Sequence, residues 1–240
     1  MVQTRIDARA AALERLIDHA ALFPPASMPM DAAVQEDRRL LASSEGWLVG
    51  RFVVPASRLA ELGDYERALT VVLDEACNSE LLSDSRIESV EVPARMEPPD
   101  HPEVYIERSL DDLGWLDELG GRRAKARCGG AATPTVDQLG AFVRRCRELG
   151  VVFKATAGLH HPVRRGDEHG FLNLLAAAVF GDEERALVAQ DVALDSEALR
   201  WGDRAADAAE VARVRRELFT GFGSCSVAEP VEDLRALGIL

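Results

Sequence analysis

The chain has 240 residues, 47% of them apolar and 29% charged, which is enough to bury a full core and is the composition of an ordinary soluble globular protein. A net charge of −13 argues against a phosphate-backbone partner, which would need clustered lysine and arginine, so no nucleic acid is expected. No apolar run follows a basic start, and the stretch from Leu172 to Phe180 is too short to cross a bilayer, so we expect no membrane partner and a cytoplasmic location.

Apolar positions Ala8, Ala12, Leu13, Leu16, Ile17 and Ala20 recur at helical spacing and predict an amphipathic helix ending before Phe23-Pro24-Pro25. That Phe-Pro-Pro segment reads as a structural turn seating the first helix, under a barrel if one follows, rather than as part of a site. Asp31 to Leu41 predicts a second helix, making residues 1–45 a helical segment packed on the rest. From there short β-rich runs alternate with helices. Arg51 to Pro55 leads into a helix from about Ser57, and Leu69 to Asp74 into one from about Ala76. Ile87 to Pro93, Val104 to Glu107, Arg123 to Cys128 and Val151 to Ala157 continue the rhythm. Between the last two, Leu139, Phe142, Val143, Cys146 and Leu149 mark one helix face. Thr135 with Gln138 forms a capping box there, and Gly150 a C-terminal stop.

After Gly158 the rhythm loosens. Gly170 to Phe180 and Ala205 to Glu217 predict helices, leaving Val188 to Trp201 for an irregular seventh strand. Leu218 to Gly223 is the last strand, and the turn Gly223-Ser-Cys-Ser226 feeds a helix over Glu229 to Leu237. Eight strands predict an α/β chain folded as one (β/α)8 TIM-type barrel domain over residues 1–240, with extra N-terminal helices. An open doubly wound sheet is the rival, although no GxGxxG follows the first strand.

The chemistry-bearing signal is a census. Against 26 arginines there are two lysines, Lys125 and Lys154, 29 residues apart and each near the end of a strand running into glycine. An amine can lose its proton and attack a carbonyl; a guanidinium in practice cannot. Strand alternation puts Lys125 with Arg127, Lys154 with Thr156, and Tyr105 with Glu107 on inward faces, and Glu91 likewise opposes Val90 and Val92. One reading is a layer of ion pairs, Glu107 with Lys125 or Arg127, that staples the barrel. The other places these charges at the C-terminal strand ends, where barrel active sites lie. Two neighbouring ammonium groups would then disfavour each other's charge and leave one lysine neutral for Schiff-base formation. Glu107 or Tyr105 would move protons, and Arg127 would hold a carboxylate or phosphate.

His160 and His161 follow the second lysine strand. A metal reading is weak because adjacent histidines point apart and no HxH or HExxH spacing is present, so no metal and no cofactor are expected. A proton-transfer or substrate-contact role in a loop over the mouth fits one of them better. Cys77, Cys128, Cys146 and Cys225 form no CxxC pair and read as reduced thiols, with Cys225 a small buried thiol rather than a nucleophile.

The segments Leu22-Phe-Pro-Pro25, Ala124-Lys-Ala-Arg-Cys-Gly-Gly130, Lys154-Ala-Thr-Ala-Gly-Leu-His-His-Pro162 and Phe222-Gly-Ser-Cys-Ser226 resemble those of a largely uncharacterised bacterial protein family, a likeness covering most of the chain. Locally, Lys125 to Gly158 is similar to the paired-lysine region of deoxyribose-phosphate aldolases. That resemblance implies that Lys125 forms the Schiff base and Lys154 tunes it. It also makes Gly223, Ser224 and Ser226 part of a phosphate-binding turn before a helix. Arg127 and Cys128 stand where the aldolase pattern has small polar residues, and His160-His161 replaces its loop.

The expected function is a barrel enzyme acting through a lysine Schiff base on a small anionic carbonyl compound. Lys125, Lys154, Glu107, Tyr105 and His160 are its candidate catalytic residues. Arg127, Gly129, Gly130, Thr156, His161, Gly223, Ser224 and Ser226 are its anion contacts. The alternatives are a barrel that binds a small anion without chemistry, and a metal-assisted hydrolase or isomerase using His160, His161 and Glu107. A homo-oligomer stays open.

Overall fold

The computed structural model describes residues 7–75, 81–130 and 133–240. Eight parallel strands close a barrel: β1 (Ile17–His19), β2 (Val49–Pro55), β3 (Leu69–Val72), β4 (Ile87–Val92), β5 (Val104–Glu107), β6 (Arg123–Arg127), β7 (Phe153–Thr156) and, closing onto β1, Phe219–Ser224. The chain is therefore an α/β barrel of the TIM type, as the strand rhythm predicts.

The strand inventory differs at two places. Residues 188–201 hold no barrel strand; they contribute to a separate antiparallel sheet of β8 (Ala193–Leu194), β9 (Ala198–Trp201) and β10 (Arg204–Asp207). The last barrel strand is accordingly β11. The missing barrel strand is β1, inside the segment expected to be wholly helical. The first helix, α1 (Ala8–Leu13), stops at Leu13, and its apolar spacing runs on into a three-residue strand whose residues are all buried. β1 pairs with β11 through Ile17 and Phe222, and with β2 through Ile17 and Val49, so burial on both sides overrides the helical pattern.

The remaining helices are α2 (Met30–Leu41), α3 (Val136–Leu149), α4 (Phe171–Phe180), α5 (Glu183–Val188), α6 (Ala208–Glu217) and α7 (Ala228–Ala236). Helix α3 opens on the expected capping box, in which the Thr135 side chain accepts from Gln138 N and the Gln138 side chain accepts from Thr135 N; Gly150 ends it in the left-handed conformation. Its buried face is Leu139, Phe142, Val143 and Cys146, whereas Leu149 is exposed. The outer layer is thin between β2 and β6. There 3-10 turns over Ala56–Leu62, Leu81–Ser83 and Gly114–Glu118 stand in place of long helices, and the helix expected from about Ala76 begins outside the described residues.

Phenylalanine rings fill the layer between strands and helices. Phe153 stacks on Phe219 at 5.3 Å and meets Phe142 of α3 edge-on at 5.2 Å, while Phe171 of α4 stacks on Phe222 at 5.1 Å. Each fully buried ring contributes roughly 1.5–3 kcal/mol, and together they fix β7, which carries the second lysine, against its neighbour β11.

Candidate functional site

The register of β6 against β7 makes Lys125 and Lys154 direct partners, and β5 sets Glu107 beside Lys125. Alternation turns Ala124, Ala126 and Ala155 to the helices and both lysines inward, as strand parity predicts. Inside, the two amines are 4% and 2% exposed and completely paired. Lys125 Nζ lies 2.5 Å from Glu91 Oε2 and 2.8 Å from Glu107 Oε2. Lys154 Nζ lies 2.7 Å from the other Glu91 oxygen and 2.5 Å from Asp18 Oδ2. Glu91 thus bridges both lysines, and Glu107 also accepts from Arg127 Nε at 2.8 Å.

Around Lys154 this arrangement works against the expected neutral amine, because carboxylates rather than a second bare ammonium group stand next to it. Burial works against the charge of Lys154, but Asp18 and Glu91 raise its pKa above the ordinary lysine value. Burial alone would push Glu91 up, yet the two ammonium groups hold it down at about 2. Glu107 is likewise lowered, by Lys125 and then Arg127 against the cost of burial. The ion-pair layer read as the structural alternative is therefore present.

The layer also forms a floor. Above it, at the C-terminal strand ends, opens a cavity of about 590 Å³ with Lys125 and Glu91 at its base. Lys154 does not line it; together with Tyr105 it faces a second cavity at the N-terminal end of the barrel. Tyr105 Oη accepts from Arg123 at 3.0 Å and lies 3.1 Å from Thr220 Oγ1, so its phenol serves that far end and not the mouth.

The mouth is two-sided. Arg127, Thr156, Gly129, Gly130, Gly223 and His160 make its polar wall. Phe23, Pro24, Pro25, Val53 and Val72 make its apolar one. The Phe23-Pro24-Pro25 segment leaves the C-terminal end of β1 and lies over the mouth, not under the barrel. Gly129 and Gly158 permit the loops after β6 and β7 to touch: a Cβ on Gly129 would come 2.6 Å from the Gly158 backbone, and Gly158 itself has φ +65°.

The two histidines diverge. His160 enters the cavity wall, its Nδ1 3.1 Å from Glu229 Oε2 but off the line of a hydrogen bond. His161 turns to α7, with Nδ1 2.6 Å from Asp233 and Nε2 3.2 Å from Glu168, and does not line the cavity. Nor do Ser224 and Ser226: the buried Ser224 hydroxyl donates to Ser226 O at 2.6 Å, and the Ser226 hydroxyl takes an N–H at the start of α7. Among the described residues no group of three His, Cys, Asp or Glu side chains is arranged to hold a metal ion.

Sequence reasoning missed Asp18, which needed β1 to be recognised as a strand, and the apolar wall. It also set aside Cys225, which lines the mouth half-buried as a free thiol whose pKa is raised by burial. Cys128, also at the wall, is pushed up to about 12 by burial. No helix among the described residues is long and apolar enough to cross a membrane. Comparison of the chain with protein-family models, with curated proteins and with solved structures gave no match.

Proposed function

We propose that the chain is a barrel enzyme, aldolase-like or another lyase, that forms a Schiff base between Lys125 and a small carbonyl compound carrying a carboxylate or phosphate. The observation that carries this reading is the Lys125 amine at the cavity floor, within hydrogen-bond distance of two carboxylates. Glu107 takes the ammonium proton, and the freed amine adds to the carbonyl carbon. The carbonyl oxygen leaves as water after taking up protons, and the resulting iminium is a cation in the place the ammonium held between Glu91 and Glu107. That site is already built for positive charge, so it favours the iminium and the transition state leading to it. The iminium draws electrons from the adjacent C–C or C–H bond, and His160 at the wall serves the protons released there.

Arg127, Thr156 and the Gly129-Gly130 backbone take the anionic end of the substrate, and the Phe23-Pro24-Pro25 wall takes its apolar side. Lys154, below the floor, holds Glu91 ionised and in place.

A non-catalytic anion-binding barrel is the second reading, favoured by the completeness of the ion pairs, which leaves no carboxylate or amine of the floor in want of a partner. Cyanoborohydride reduction with a panel of small carboxylated or phosphorylated aldehydes and ketones separates the two. Intact-mass measurement is expected to show one adduct per chain, absent in Lys125→Arg. Anion binding without any adduct supports the second reading.

A further inference from the structure

The cavity at the N-terminal end of the barrel, about 200 Å³, takes no part in the chemistry proposed above. It is below the ~300–1,000 Å³ of pockets for drug-sized ligands and of a size for a small ion with water. Its cations are Arg15, Arg51, Arg123, Arg215 and Lys154. Its acids are Asp18, Glu88 and Glu103, leaving two positive charges in excess in a chain of net charge −13.

The acids are fully engaged. Glu88 accepts from Arg15 at 3.0 Å and Arg51 at 2.8 Å, Glu103 lies 2.7 Å from Arg51 and 2.6 Å from Arg123, and Asp18 is held by Lys154 and by Arg51 N. Among the described residues no carboxylate lies within salt-bridge distance of Arg215. Its guanidinium donates to the carbonyls of Glu14, Phe219 and Thr220, and its buried Nε has no hydrogen-bond partner. The Arg215 side chain is part-buried, and burial presses its pKa down, to about 10, against the attraction of Asp18. Walls of one net sign and low dielectric concentrate the counter-charge.

We propose that this cavity is a second ligand site, taking a small oxodianion of the phosphate or sulfate class with Arg215 as its principal unpaired cation. The site is separate from the mouth, because Lys154 and Glu91 stand between the two cavities. It is nonetheless linked to it, since Lys154 holds the same Glu91 that Lys125 uses.

The test is titration with inorganic phosphate at constant ionic strength, chloride making up the balance, read by the thermal midpoint and by calorimetry. Saturable stabilisation by phosphate but not chloride is expected. Arg215→Gln is expected to raise the half-saturating concentration at least about tenfold, equivalent to ~1.4 kcal/mol. Arg15→Gln, at a more exposed position, serves if Arg215→Gln fails to fold and should weaken binding in the same direction. Arg213→Gln, on the outer face of α6, is expected to leave it unchanged. Glycerol phosphate in place of inorganic phosphate distinguishes a free oxoanion from the head of a phosphomonoester. Absence of phosphate-specific stabilisation overturns the proposal, as does binding lost in Arg127→Gln and kept in Arg215→Gln. The outcome is independent of whether Lys125 forms a Schiff base.

Discussion

Lys125 and Lys154 are register partners on adjacent strands, yet they meet through a shared carboxylate, Glu91, rather than by repelling each other. The pairing makes one lysine the reactive candidate at the cavity floor and the other its support from below.

Glu91→Gln leaves each lysine with one carboxylate instead of two. Breaking a buried charge network from one side costs about 3–5 kcal/mol, so the variant is expected to unfold at markedly lower urea concentration than the parent. Unchanged stability would mean that water reaches the layer.

The same residue sets an acid limb. The Glu91 pKa is depressed from 4.5 to about 2 in the fold, so its contribution is fully present above 4.5 and is lost as the pH falls toward 2. In that window the unfolded chain binds more protons, and stability rises with pH; one such carboxylate contributes roughly 3 kcal/mol. Acid titration of the unfolding free energy is expected to be steeper between pH 4.5 and 2 in the parent than in Glu91→Gln.

Gly158→Ala sets a Cβ 2.4 Å from the Cys128 carbonyl oxygen in a left-handed backbone conformation. Overpacking with φ strain is expected to cost at least about 2 kcal/mol, read as a lowered thermal midpoint, because neither atom can swing aside. Gly166→Ala, with open space around its Cβ, is expected to cost less.

The histidine pair should separate by function. His161→Ala removes the tie to Asp233 on α7 and is expected to lower stability by about 1 kcal/mol, with little effect on any reaction at the mouth. His160→Ala is expected to do the reverse, lowering turnover at least tenfold with the unfolding midpoint kept.

Much of this was legible in the chain. The two lysines, the inward parity of Glu91, Tyr105, Glu107 and Arg127, the α3 capping box and most barrel strands follow from local patterns that packing does not override. Ile17–His19 does not, because three buried residues carry no strand period of their own and their apolar positions extend that of α1. Asp18 was lost with it. The stretch Val188 to Trp201, expected to hold the seventh barrel strand, does contain the strand Ala198–Trp201, but periodicity says nothing of which sheet takes it. Heights along the barrel were hidden too. Parity says that Tyr105 and Lys154 point inward, and only the register and barrel shear show that they face the end opposite the mouth.

The central claim rests on which amine reacts. Peptide mapping by mass spectrometry, after borohydride reduction in the presence of the carbonyl panel, should recover reduced adduct on the peptide containing Lys125 and none on that containing Lys154. An adduct on Lys154, or on neither lysine with every carbonyl compound tried, would contradict it.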